Sequence, residues 1–205
     1  GGGDTTYSSK LVITVIVIGY SKNKPVLRNG SNINDDIYIT GNIGDSYIGL
    51  NIAKRKKNFG KLNNFFLKKY YEPNLPVNLT PFLKKIASAS IDISDGIVQD
   101  LKHLCLESNC GAHVNLNKLP LSKKCYKLIK DKKINLKNIF SNGDDYQILF
   151  TSNPKNRSKI FNLSHKIKVK ISRIGIVTKE KNIVFKYNDK KIKISRSKSG
   201  YTHVF

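Results

Sequence analysis

Acidic residues are scarce in this chain. Only 14 Asp and Glu stand against 37 Lys and Arg over 205 residues, a formal charge of +23. Such an imbalance points first to a polyanionic partner. The lysines are, however, scattered along every segment rather than gathered on one arm. An abundance of Lys, Asn and Ile with little Ala, Pro or Arg is also what A/T-rich coding imposes on any protein. Charge alone therefore does not select a nucleic-acid partner, and none is expected. Cysteine is also sparse: Cys105, Cys110 and Cys125 contain no Cys-x-x-Cys pair, which excludes a disulfide scaffold and leaves reduced structural thiols in a cytoplasmic protein as the expectation. Long apolar runs are missing. The longest, Leu11 to Ile18, is too short to span a bilayer, and the Gly-rich opening lacks the form of a secretion signal, so no membrane partner is expected. Methionine is absent, at position 1 as well, and the sequence is expected to be the C-terminal part of something longer. What remains is an apolar share of 39%, enough for a real core in one large domain, or in one domain plus part of another.

Periodicity gives mixed elements. Leu11 to Ile18 is almost continuously β-branched and predicts a strand covered on both faces. A polar stretch follows, with a domain boundary near residue 30, dividing residues 1–30 from 31–205. Asp35 to Gly41 predicts a short strand, and Ser46 to Ala53 a helix with Asp45 as its N-cap. Further helices are expected over Asn63 to Tyr71, from Thr80-Pro81 to about Ala87, from Ile97 onward, and over Ser122 to Lys130. Between Ala87 and Ile97 a polar loop is expected to deliver carboxylates to a helix start. Strands are expected at His113 to Leu116 and Tyr146 to Phe150, and then in a terminal antiparallel meander of 169–177, 182–187 and 191–195. The fold class is α+β, a mixed sheet with helices.

Three segments carry candidate chemistry. Gly1 to Thr6 places glycines, which allow close backbone approach to a phosphate, beside Asp4, although a frayed end or a cloning remnant accounts for such an opening equally well. Asp92-Ile93-Ser94-Asp95-Gly96 sets two carboxylates three positions apart before a helix N-terminus whose free amides favour phosphate. Ser94 or Asp95 as a plain N-cap is the alternative, though a cap leaves Asp92 without a role. Gly143-Asp144-Asp145-Tyr146 holds adjacent acids able to meet a cationic substrate or a metal, and turn chemistry alone accounts for Asn-Gly-Asp about as well. The histidines show no zinc spacing, and no Ser/His/Asp or Cys/His arrangement can be assembled.

Taken in order, these segments resemble a known family. Gly2-Gly-Asp-Thr-Thr6, Asp36-Ile-Tyr-Ile-Thr-Gly-Asn-Ile-Gly-Asp45, Ile91-Asp-Ile-Ser-Asp-Gly96 with Gln99-Asp100-Leu101, Leu119-Pro-Leu-Ser122, Gly143-Asp-Asp-Tyr-Gln-Ile-Leu-Phe-Thr151 and Gly200-Tyr201-x-His203 are similar to the thiamine-monophosphate kinases. These belong to the superfamily of aminoimidazole ribonucleotide synthetase and selenophosphate synthetase. The resemblance implies the C-terminal domain of the aminoimidazole ribonucleotide synthetase-like fold, preceded by the last loop and strand of an N-terminal ATP-binding α/β domain. It implies transfer of the terminal phosphoryl group of ATP to thiamine monophosphate with Mg2+, in a homodimer joined largely through the N-terminal domain. It further implies that Gly3, Asp4, Arg28 and Ser94 contact ATP, that Asp4, Asp92 and Asp95 hold Mg2+, and that Asp144 and Tyr201 line the acceptor pocket. No protein nucleophile is implied. With most of the N-terminal domain outside this sequence, the chain alone is expected to be inactive and poorly soluble, with 11–18 exposed as an unpaired edge. A superfamily member with another phosphate acceptor and a basic nucleic-acid module are the alternatives. Three departures are visible. Asn142 replaces a glycine, a change its access to left-handed backbone accommodates. Thr202 stands in place of Asp, and Val204 lengthens the gap to Phe205.

Overall fold

The computed structural model describes residue 7, residues 9–20 and residues 24–194. Its centre is β1 (Asp36–Thr40), buried along its whole length. Side-chain alternation divides that burial between two layers: Ile37 and Ile39 enter the main core, while Tyr38 faces the opposite side. β1 lies between β4 (Gln147–Ser152) and β5 (Ile171–Thr178), antiparallel to both. β2 (Ala89–Ile93) closes one edge against β4, and β3 (Gly111–Asn115), β6 (Ile183–Tyr187) and β7 (Lys190–Ile192) extend the other, giving the order β2-β4-β1-β5-β3-β6-β7.

Helices cover both faces. α4 (Ile97–Glu107) places Ile97, Val98, Leu101, Leu104 and Cys105 on the main core, at helical spacing and opposite the odd-numbered side chains of β1 and β2. On the other face α7 (Arg157–Ile167) packs Ile160 and Leu163 with Leu79, Ile86 and the stacked pair Tyr38 and Phe150, whose ring centroids are 5.2 Å apart. A third cluster joins α1 (Asp45–Ala53), α2 (Asn63–Tyr71), α5 (Lys123–Lys130) and the region of α6 (Leu136–Phe140) around Ile48, Phe66, Leu128 and Ile139. The short α3 (Thr80–Leu83) gives way to turns, so the helix expected to reach Ala87 ends early.

Several expectations change. Residues 11–18 form no strand; the large side chains of this run are 74–89% exposed, and among the described residues no strand pairs with them. The polar loop expected before α4 is largely strand: Ala89, Ile91 and Ile93 point inward in β2, and only Ser88 and 94–96 remain outside it. The terminal strands are no meander, since β3 inserts between β5 and β6 and runs parallel to β6. Hairpin logic places sequential strands side by side, and here an earlier strand occupies the gap. The 188–189 turn does join β6 to β7, with Asn188 and Asp189 both at positive φ, while Ser195 lies outside the described residues. The three cysteines are buried and free, and burial pushes the Cys105 and Cys125 thiols far above their ordinary range, as expected of inert structural thiols. No helix among the described residues is long and apolar enough to cross a membrane.

Candidate functional site

Two loops meet beyond the ends of β2 and β4. The first, 94–96, carries the chain from β2 into α4. The second, 141–146, carries it from α6 into β4. Their backbones interlock: the Asp144 amide donates to the Ser94 carbonyl at 2.9 Å, and the Tyr146 amide donates to the Ile93 carbonyl at 2.9 Å. Glycine is required at this crossing. A Cβ at Gly143 would overlap the Ser94 carbonyl, and one at Gly96, whose φ is +114°, would sit 2.9 Å from the Asn142 backbone. Asp144 and Tyr146 take left-handed backbone. Asn142 does not, contrary to the sequence expectation; its side-chain amide instead donates to the Asn138 carbonyl at 2.7 Å and ties the turn to α6.

Around this crossing stand Asp92, exposed near the end of β2, Asp95 in the loop and Asp144 in the facing turn, and burial and the charges of all three raise the Tyr146 phenol. Among the described residues none of the three forms a salt bridge, in a chain with 37 Lys and Arg. Burial raises the Asp144 carboxyl, Lys54 opposes the rise, and the charge of Asp95 adds to it. Arg28 is exposed, but the chain beside it is pinned to β2 by the bond from the Ser90 amide to the Leu27 carbonyl, 2.9 Å. Arg28 and Asp92 consequently line one shallow hollow of about 630 Å3, with Ser90 and Glu107. Gly3, Asp4 and Tyr201 lie outside the described residues.

Neither Ser94 nor Asp95 caps α4. Its N-cap is Gly96, with no side-chain cap. The amides of Ser94, Asp95 and Gly96 are taken instead by one oxygen, Oδ2 of Asp100, at 3.1, 3.2 and 3.0 Å. These three amides lie in the loop before α4, whose own first amides, at Ile97 and Val98, are not among those Asp100 takes. Asp100 is 2% exposed. Burial pushes its carboxyl up to about 7, the Gly96 amide pulls against the rise, and the charge of Asp95 adds to it. Asp45 likewise does not cap α1. The cap is Gly44 at φ 83°, and the carboxylate of the wholly buried Asp145 reaches from the 141–146 turn to accept from the Gly44 amide at 2.8 Å and the Ser46 amide at 3.4 Å. Burial pushes Asp145 up to about 8 and Asp45 to about 6, and Asp45 accepts from the Ser122 hydroxyl at 2.7 Å. The adjacent acids of the Gly-Asp-Asp-Tyr turn thus divide: Asp144 faces the loop crossing and Asp145 holds a helix.

Among the described residues no three His, Cys, Asp or Glu side chains gather into a metal-holding group. Asp92 and Asp95 offer hard oxygen donors, and neither forms a salt bridge among the described residues. That suits Mg2+, which takes one or two carboxylates and completes its shell with water and phosphate oxygens.

Residues 33–188 match the family of the AIR synthase related protein, C-terminal domain. The chain belongs to this family. Within the family's fold it is similar to a thiamine-monophosphate kinase of Buchnera aphidicola subsp. Schizaphis graminum, at 39% identity over 98% of this chain and 62% of that relative. A solved thiamine-monophosphate kinase from Stenotrophomonas maltophilia K279a superimposes with a TM-score of 0.70 at 25% identity, over 78% of this chain and 52% of that one. The solved AaThiL complexed with AMPPCP and TMP gives 0.69 at 26% identity, over 82% and 52%. The chain thus spans less than two thirds of the length of these relatives. The mixed sheet with helices expected from the resemblance is observed, and it has seven strands.

Pattern reading assigned Asp100 no role, and it read Asp145 with Asp144 as an acid for a cationic substrate or a metal, whereas Asp145 accepts from the amides that open α1. Both stood inside quoted motifs.

Proposed function

We propose that this chain is the C-terminal part of a thiamine-monophosphate kinase, which transfers the terminal phosphoryl group of ATP to thiamine monophosphate and yields thiamine diphosphate. The observation that carries the reading is the convergence of Asp92, Asp95 and Asp144, none of them paired with a cation, on one interlocked loop crossing. Support for the nucleotide and the acceptor comes from the relative solved with AMPPCP and TMP.

Phosphoryl transfer asks a protein mainly to position reactants and to offset charge, without a nucleophile of its own. Asp92 and Asp95, with Asp4, hold Mg2+, which when bound neutralises phosphate oxygens. Arg28 contacts the phosphates across the hollow it shares with Asp92, and Ser94, with the backbone at Gly3 and Asp4, contacts the nucleotide. Asp144 faces the cationic thiazolium of the acceptor, and Tyr201 stacks against one of its rings. Because Asp100 occupies the amides at 94–96, these three are not offered to the nucleotide phosphates, which Arg28 and a metal held by Asp92 and Asp95 would meet. The activity belongs to the complete protein, a cytoplasmic homodimer with its domain boundary near residue 30.

The test is an assay of the complete protein with ATP, Mg2+ and thiamine monophosphate. Thiamine diphosphate formation that is lost on Asp92→Asn is the expected result. Binding of ATP with no binding or turnover of thiamine monophosphate would assign a different acceptor.

A further inference from the structure

Asp100 sits inside α4 but holds the loop that leads into it. Its Oδ2 gathers three consecutive amides from outside α4, at Ser94, Asp95 and Gly96, while its own residue lies one turn inside. A peptide unit is planar and trans, so its N–H and C=O point in opposite directions. The amide of Ser94 shares its plane with the carbonyl of Ile93, and the amide of Asp95 with the carbonyl of Ser94. Drawing those two N–H groups toward Asp100 therefore aims the two carbonyls away from it. There they meet the amides of Tyr146 and Asp144, each at 2.9 Å. Two successive peptide planes are gripped at both ends, by Asp100 beneath and by the 141–146 turn above.

We infer that Asp100 is a positioning residue that fixes the metal-side carboxylate Asp95 and the acceptor-side carboxylate Asp144 relative to each other, through the peptide planes 93–94 and 94–95. The inference rests on the function proposed above for what Asp95 and Asp144 bind; the coupling of the two loops stands on geometry alone. Asp100 need touch neither ligand. The closeness of the crossing at Gly96 and Gly143 leaves the loops no room to slide past each other once the planes are set.

The experiment compares the complete protein with its Asp100→Ala, Asp100→Asn, Asp92→Asn and Asp36→Asn variants by backbone amide hydrogen exchange without ligand, by Mn2+ titration and by thiamine monophosphate titration. Asp100→Ala is expected to speed exchange at the amides of Asp144 and Tyr146, which Asp100 does not touch, while β5 keeps its protection. It is expected to weaken Mn2+ and thiamine monophosphate binding together, each by about tenfold or more, the scale of outer-shell changes at metal sites. Asp100→Asn, which retains an acceptor oxygen, restores most of both. Asp92→Asn weakens Mn2+ alone. Asp36→Asn removes an equally buried carboxylate elsewhere and lowers the melting temperature without moving either titration. Unchanged exchange at Asp144 and Tyr146 in Asp100→Ala, or a loss of Mn2+ affinity with thiamine monophosphate binding intact, would overturn the inference. Should Asp100→Ala not fold, Asp100→Asn carries the test through a smaller rise confined to the same two amides, and a uniform rise across the sheet counts against the role. Failure of the parent protein to bind Mn2+ sinks the metal assignment instead, and the exchange pattern still decides on Asp100.

Discussion

Asp36 and Asp100 are buried carboxylates held in opposite ways. Asp36, 1% exposed on the central strand, takes Arg157 through two bonds at 2.6 and 2.8 Å and Arg173 at 3.0 Å. Burial by itself raises its carboxyl, but the bonds from Arg157 and Arg173 outweigh burial and hold it below its ordinary value. Asp100 takes only backbone amides, and its carboxyl is raised. A guanidinium pair locks a charge inside the fold. Amides bring no opposing full charge, and Asp92 and Asp95, whose charges act on Asp100, have no salt bridge among the described residues. In a chain so rich in Lys and Arg, the lack of any salt bridge to Asp92, Asp95 or Asp144 among the described residues is the feature that separates this corner from the one around Asp36.

The largest expected effect follows from Asp92→Asn, which in the complete protein cuts phosphoryl transfer by more than about a hundredfold, beyond the loss usual for outer-shell changes; steady-state turnover reads it. Gly143→Ala comes next. Its Cβ meets the Ser94 carbonyl, so the crossing must open, and destabilisation of about 1–3 kcal/mol by thermal melting should accompany a fall in kcat. The two structural carboxylates then differ in sign with pH. Asp36, with a lowered folded value, adds stability above the ordinary 3.8 that disappears as pH falls through the folded value. Asp145, raised from 3.8 to about 8, favours the folded state most below 3.8, and that contribution fades as pH climbs toward about 8. Urea melts across this range should therefore show a shallower acid-side loss in Asp36→Asn, and a shallower decline toward pH 8 in Asp145→Asn. Smallest in energy, exchanging Val12, Val15 and Val17 for Thr should leave the melting temperature unmoved and reduce self-association of this chain in light scattering, because these side chains pack on nothing.

Much of this was legible beforehand. β1, α1, α2, α4 and α5 announce themselves by alternation or helical spacing, and the motifs around Asp92 and Asp144 locate the crossing. The rest depends on partners remote in sequence. Asp145 caps a helix 99 to 101 residues away, so local propensity assigns that cap to Asp45. β3 slips between β5 and β6, an adjacency that strand periodicity does not encode. α7 was not anticipated, since only Ile160 and Leu163 of its eleven residues are buried. Leu11 to Ile18 shows the converse: strand-forming side chains make no strand where no neighbour supplies the ladder.

The central position of β1 also has a consequence for the order of events on the ribosome. Both of its neighbours, β4 and β5, lie more than a hundred residues downstream, at 147–152 and 171–178. At ordinary elongation rates the most buried strand of the domain emerges roughly ten seconds before the first of them exists. For that interval Ile37, Tyr38 and Ile39 have no sheet to enter, and the polypeptide must be shielded or kept from collapsing until its last third has been made.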